Sequence, residues 1–347
     1  MNMILHFLNE NCQRFDLARY GATGRLSTLV ITPRFQASSH VVFMIWGEQA
    51  DTPVLVAKTP RLKGATASLQ REVSNLRLIH AQHPDGFVSV PQVVAYDTYH
   101  EYPILVETAL TGQPMDPGFT RRHRNRCCQA VVNWLIDLQQ SGTTGAQDEA
   151  WFERLVERPI RYFSQRFPVS TKEAQLLLRT KAVVAPLRTL QLPLVFEHGD
   201  LSHPNLLLLP SGEPGVLDWE LADPAGLPAC DLFLFLTYVA FATHDAQASG
   251  AYQAAFQAAF FGQAAWTKPY VRQYAQQLHL PEAALTPLFV MTWLRYIVSQ
   301  LVRLDDGQYR DVDEITKCKP ETAQWLRQNR YYALWDYALN HAEQLKW

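Results

Sequence analysis

Cysteine, net charge and long apolar runs are all scarce in this sequence, and each scarcity excludes something. Five cysteines occur in 347 residues, none in a CxxC pair. An odd, scattered set gives neither a disulfide framework nor a thiolate zinc site. Reduced thiols in a cytoplasm are the expectation. Lys and Arg number 31 against 33 Asp and Glu, for a formal net charge of -2. The basic excess of a nucleic-acid-binding chain is missing. The most apolar stretch, Phe233–Ala242, is about half the ~20 residues that cross a bilayer. The opening MNMILHFLNENCQRFD has no basic start ahead of its brief apolar run, unlike a secretory leader. A soluble protein with neither a nucleic-acid nor a membrane partner is expected. Internal repeats and low-complexity tracts are also lacking.

What is present is an ordinary globular balance, 48% hydrophobic and 18% charged, enough for a sizeable core. At roughly 100–200 residues per domain the length predicts two lobes. Thr28–Pro33, His40–Trp46 and Pro53–Lys58 are short, β-branched runs separated by polar loops, and read as strands. Between Ala67 and His80, Leu69, Val73, Leu76 and Ile79 form one helical stripe. Strands are predicted again over Gln92–Tyr96 and Ile104–Glu107. Gly and Pro then cluster in Thr108–Pro117, as in a linker. Beyond it, Arg121–Gln140, Ala150–Arg166, Lys172–Leu190, Ala229–His244 and Pro287–Leu304 carry helical periodicity. The expected division is a sheet lobe over 1–107, a hinge over 108–117 and a mainly helical lobe over 118–347, an α+β chain.

The chemistry concentrates in Val195–Asp231, VFEHGDLSHPNLLLLPSGEPGVLDWELADPAGLPACD. Leu206–Leu209 and Val216–Leu217 flank the turn chemistry of Pro210–Gly215, which predicts a hairpin whose outer ends lie side by side. Asp200 and Asn205 precede its first strand and Asp218 follows its second, so all three are expected at one end. Two carboxylates and an amide suit a hard cation that takes oxygen ligands. Phosphoryl transfer needs Mg2+ to neutralise phosphate charge, and a base to accept a hydroxyl proton. On this reading Asp200 is the base and Asn205 and Asp218 hold the metal.

His198-Gly199-Asp200, with Asn205 five positions later, resembles the H-G-D-x-x-x-x-N catalytic loop of the aminoglycoside phosphotransferase-like family. That loop is related to the protein-kinase H-R-D-x-x-x-x-N. Asp218-Trp219-Glu220 resembles the family's metal-binding D-W-E, and Gly226-Leu227-Pro228 with Asp231-Leu232 is similar to its closing segment, where the Asp braces the loop. The resemblance implies a bilobal, protein-kinase-like fold and ATP or GTP as donor to a small-molecule hydroxyl acceptor. Two readings of Glu220 stay open, a second Mg2+ ligand or an orienting group. Lys58 ends V-L-V-A-K, much like the kinase V-A-I-K. Glu72 lies on the apolar stripe, where a lone carboxylate is costly unless paired. A Lys58–Glu72 ion pair is therefore expected, which kinases use to hold the α- and β-phosphates. The backbone of Glu107–Leu110, including Ala109, is expected to hydrogen-bond a purine. The loop 34–39 contains no glycine, although close backbone approach to phosphate favours it; Ser38 and Ser39 could donate there instead.

Other readings compete. A kinase-fold nucleotide-binding or scaffold protein with little catalysis would account for the glycine-free loop, but binding alone does not require the Asp200, Asn205 and Asp218 set. The short path from Asp218 to Asp231, with no A-P-E segment, argues against a protein kinase. His198, Asp200 and His203 read as H-x-D-x-x-H, a transition-metal pattern that finds no further ligands at interpretable spacing. Ser202 and His203 are candidates to touch substrate. Asp305, Asp306, Asp311, Asp313 and Glu314 read as a solvated acidic loop, or as a docking site for a cationic substrate. Tyr331, Tyr332, Trp335 and Tyr337 read as the lining of a sugar or drug pocket or, at near-helical spacing, as packing.

Overall fold

The computed structural model describes residues 2–32, 40–61, 66–83, 87–141, 150–305 and 317–347. It divides into two compact units, Met1–Gln113 with Asn205–Ala222, and Pro114–Pro204 with Asp223–Trp347.

The first unit is built on a five-stranded antiparallel sheet. Its strands are β1 (Ser27–Ile31), β2 (His40–Trp46), β3 (Leu55–Pro60), β4 (Val93–Tyr99) and β5 (Tyr102–Thr108), in the order β1-β2-β3-β5-β4. Helix α1 (Met3–Glu10) precedes the sheet and α2 (Ala67–Gln82) follows β3. Side chains alternate across a strand. Ala57, Ile104 and Val106 therefore point into a core completed by Ile4, Phe7 and Leu8 of α1, with Phe43, Ile45 and Leu55. Lys58, Leu105 and Glu107 take the opposite face. The register sets Lys58 against Leu105 and Val56 against Glu107. Strand β2 has the span that its β-branched run predicts.

The hairpin Leu206–Leu208/Pro214–Val216, paired Leu206 to Val216, is part of this unit although it lies far along the chain. Its ties are specific. Val216 donates its N–H to the Ser89 carbonyl at 2.8 Å. Asn75 of α2 donates Nδ2 to the carbonyls of Trp219 and Ala222, each at 3.0 Å. A Cβ on Gly112 would fall 2.6 Å from the Leu208 carbonyl oxygen, so only glycine permits that approach.

The second unit is mainly helical. It contains α3 (Pro117–Arg122), α4 (Arg124–Ser141), α5 (Arg158–Arg166), α6 (Thr171–Val184), α7 (Cys230–Thr243), α8 (Ala246–Ser249), α9 (Tyr252–Phe260), α10 (Lys268–Gln277), α11 (Glu282–Asp305), α12 (Pro320–Gln328) and α13 (Arg330–Asn340). Asp116 caps α3 by accepting the Phe119 N–H at 2.7 Å. The short strands Val195–Glu197 and Asp223–Gly226 pair antiparallel. Helix α11 starts at Glu282 rather than at Pro287, which stands inside it. A proline this near the start forfeits only one backbone bond. Glu282–Leu304 is apolar and long enough to cross a membrane, but 78% of its most apolar window is buried within the protein, as in a core helix. Tyr331, Tyr332, Trp335 and Tyr337 of α13 are buried, which is the packing reading. Helices α1, α8, α9, α10 and α12 had no expectation in the sequence, and their short or interrupted stripes explain why.

Candidate active site

In the first unit the site grows from a lysine. Lys58 Nζ lies 2.5 Å from Glu72 Oε1 and 3.0 Å from Glu107 Oε1. The expected Lys58–Glu72 pair is present, because the α2 stripe turns Glu72 toward the sheet. The second carboxylate had no counterpart in the sequence reading, which gave Glu107 a backbone role only. Trp219 donates its N–H to Glu72 Oε1 at 3.2 Å, tying the segment after Asp218 to the same group. Burial opposes the Lys58 ammonium, but Glu107 and Glu72, joined by Asp218, outweigh it and raise its pKa. Burial likewise pushes the carboxyls up, Glu72 to about 8 and Glu107 in the same direction. Two oxygens, Glu72 Oε2 and Glu107 Oε2, are buried with no hydrogen-bond partner among the described residues.

The hairpin brings Asn205 beside the segment that carries Asp218, since Leu217 donates its N–H to the Asn205 carbonyl at 2.9 Å. Asp218 adopts a left-handed φ of 66°. Glu220 faces another group. Its Oε2 lies 3.4 Å from Nδ1 of His40, at the start of β2, and His40 Nε2 lies 3.0 Å from Ser68 Oγ. His40 and Glu220 are both buried. The sequence offered no signal for this contact between positions 180 residues apart. The Ala109 N–H donates to the Val54 carbonyl at 3.1 Å, so it is committed within the sheet. Ser38, Ser39 and the glycine-free loop lie outside the described residues, as do Asp306, Asp311, Asp313, Glu314 and the side chain of Asp305.

Asp200 belongs to the second unit. Its loop is held from behind by Asp231, whose carboxylate accepts the His198 N–H at 2.6 Å and the Gly199 N–H at 2.9 Å. Gly199 has φ 82°, a left-handed conformation that favours glycine. The Asp200 N–H donates to His198 Nδ1 at 3.2 Å, and His198 is fully buried. His198 is thus bonded to the loop backbone. Ser202 Oγ donates to Asp200 Oδ1 at 3.4 Å. On the other side, Arg303 Nη1 of α11 lies 3.7 Å from Asp200 Oδ2, a positive charge beside the carboxylate that the sequence did not mark. His203 is exposed, precedes a cis Pro204 and stacks near Tyr238 at 6.2 Å between ring centroids. Deeper in this unit Arg295 Nη1 lies 2.8 Å from both oxygens of Glu197, and Leu227 donates its N–H to Glu197 Oε2 at 3.1 Å. Among the described residues no group of three or more His, Cys, Asp and Glu side chains is arranged to hold a metal ion, so the H-x-D-x-x-H pattern gathers no cluster.

Residues 33–274, more than two thirds of the chain, match the sequence profile described as the phosphotransferase enzyme family. Comparison with curated protein sequences finds no match. Among solved structures, the choline kinase LicA from Streptococcus pneumoniae aligns with a TM-score of 0.55 at 12% identity, over 96% of this chain and 99% of its own. The amicoumacin kinase hAmiN, in complex with AMP-PNP, Ca2+ and Ami, aligns at 0.53 and 13% identity, over 97% and 95%. The GDP complex of wild-type aminoglycoside 2'-phosphotransferase-IIIa aligns at 0.54 and 15% identity, over 98% and 99%. The α+β fold, a five-stranded antiparallel sheet with α2 followed by a helical part, is protein-kinase-like.

Proposed function

We propose that this chain, which belongs to the phosphotransferase enzyme family, moves the γ-phosphoryl group of ATP or GTP onto a hydroxyl of a small molecule such as an amino sugar, sugar or amino alcohol. The observation that carries the proposal is the buried Lys58–Glu72 pair, 2.5 Å apart and tied through the Trp219 N–H to the segment that bears Asp218. A buried ion pair contributes little net stability of its own, and buried, charge-perturbed groups of this kind cluster at functional sites. The relatives support the donor class, since one was solved with AMP-PNP and Ca2+ and another with GDP.

Asp200 acts as the base, accepting the proton of the acceptor hydroxyl as that oxygen attacks phosphorus in line. Asp231 fixes the backbone from which Asp200 projects. Lys58 donates to the phosphates. Asn205 and Asp218 offer an amide and a carboxylate oxygen, the hard donors that Mg2+ takes together with substrate phosphates. When bound, Mg2+ neutralises charge on the phosphate oxygens. The contact of Glu220 with His40 favours an orienting role for that carboxylate. Positioning and electrostatics supply most of the acceleration.

The test is nucleoside diphosphate release from Mg2+ with ATP or GTP over a panel of amino sugars, sugars and amino alcohols, with Asp200→Ala as control. Acceptor-dependent release that vanishes in the variant is expected. Release that persists in the variant removes Asp200 as base, and absence of nucleotide binding leaves a kinase-fold scaffold.

A further inference from the structure

We infer that Glu107 is a positioning residue for Lys58, gripping its ammonium opposite Glu72 so that one remaining N–H is presented to a nucleotide phosphate. This rests on the phosphotransferase reading and adds to it a side-chain role for a residue that the sequence marked only for its backbone. A hinge needs only main-chain groups, so any side chain would serve at position 107. A carboxylate, 2% exposed, is the costly choice in a sheet unless it is paired.

Strand alternation puts it on the face opposite the α1 core, where the β3–β5 register sets Glu107 across from Val56, two residues before Lys58. An ammonium has three N–H donors. One goes to Glu72 of α2 at 2.5 Å and one to Glu107 of β5 at 3.0 Å. No partner for the third is found among the described residues. Two anchors from different elements remove the rotational freedom of a four-carbon stem, which a single ion pair leaves. The Oε2 atoms of Glu72 and Glu107 are buried without a hydrogen-bond partner among the described residues; a phosphate is itself an acceptor and is served by the Lys58 N–H, not by these oxygens.

The test is equilibrium binding of Mg2+–ATP and of adenosine to the full chain and its variants. Glu107→Leu removes the acceptor and is expected to weaken ATP about ten-fold while adenosine changes less than about two-fold. Glu107→Gln keeps an acceptor oxygen and stays within about three-fold of wild type for ATP. In a Lys58→Ala background Glu107→Leu has no further effect, as coupled residues behave in a double-mutant cycle. Should the leucine variant fail to fold, Glu107→Asp draws the oxygen back by one methylene and gives the same phosphate-selective loss. Equal losses for ATP and adenosine, full additivity with Lys58→Ala, or unchanged ATP affinity in the leucine and aspartate variants overturns the inference while leaving the phosphotransferase reading in place. Failure of the wild-type chain to bind Mg2+–ATP overturns both.

Discussion

The carboxylate of Asp231 accepts the backbone N–H of His198 at 2.6 Å, and its other oxygen accepts that of Gly199 at 2.9 Å. One buried side chain thereby sets the main chain on which Asp200 stands. Asp231→Ala leaves two buried donors unsatisfied and is expected to cost about 2–4 kcal/mol, read as a fall in the urea midpoint at constant m-value. Asp231→Asn retains one acceptor oxygen and should lose roughly half as much. A wild-type midpoint in Asp231→Ala would show that the loop does not depend on this brace.

Glu197 and Gly226 approach closely for a related reason. A Cβ at position 226 would stand 2.2 Å from Glu197 Oε2 and 2.5 Å from its Cβ, so Gly226→Ala must displace the carboxylate from Arg295. Moving one partner of a buried ion pair is expected to destabilise by about 2–4 kcal/mol. In a Glu197→Ala background the clash with the carboxylate is gone but that with Cβ remains, so the added methyl should cost less than in wild type without becoming neutral, which thermal unfolding of the four variants measures. Additive losses would place the strain elsewhere.

Stability should fall as pH rises through neutrality. Burial pushes Glu72 up to about 8. Burial and then the neighbouring Glu197 push Asp231 up to about 7, despite its two N–H bonds. A carboxyl whose folded pKa exceeds its unfolded one binds more protons when folded, so the stability it contributes is full below the ordinary carboxylate range and is lost as pH climbs to the folded value. Thermal midpoints measured at fixed ionic strength between pH 5 and pH 8, a window on the order of that set by these shifts, should decline. Glu72→Gln should flatten the decline, whereas a flat or rising wild-type profile contradicts this account of the buried carboxyls.

The readable part of the protein was its local chemistry. Strand β2 follows from a β-branched run between polar loops, and α2 from a stripe whose one carboxylate had to find a cation. The turn residues of Pro210–Gly215 similarly foretold a hairpin, although its second strand, Pro214–Val216, begins inside that turn. What stayed hidden depends on register and on distant segments. The side chain of Glu107 meets Lys58 only because β5 pairs with β3 in one register, and a slip of one residue would turn it to the other face. His40 meets Glu220, and Arg303 meets Asp200, across separations that no local pattern encodes. The residues tying 205–222 to the first unit, Ser89 and Asn75, look like any other polar positions in the chain.

The central claim is tested most directly by single-turnover transfer from γ-labelled Mg2+–ATP or Mg2+–GTP to an active acceptor, comparing wild type with Asp200→Asn. The account predicts a phosphorylated acceptor from wild type. It also predicts a variant that binds nucleotide with unchanged affinity yet transfers at least about 100-fold more slowly, the magnitude of a lost general base. Transfer at the wild-type rate by Asp200→Asn would contradict it.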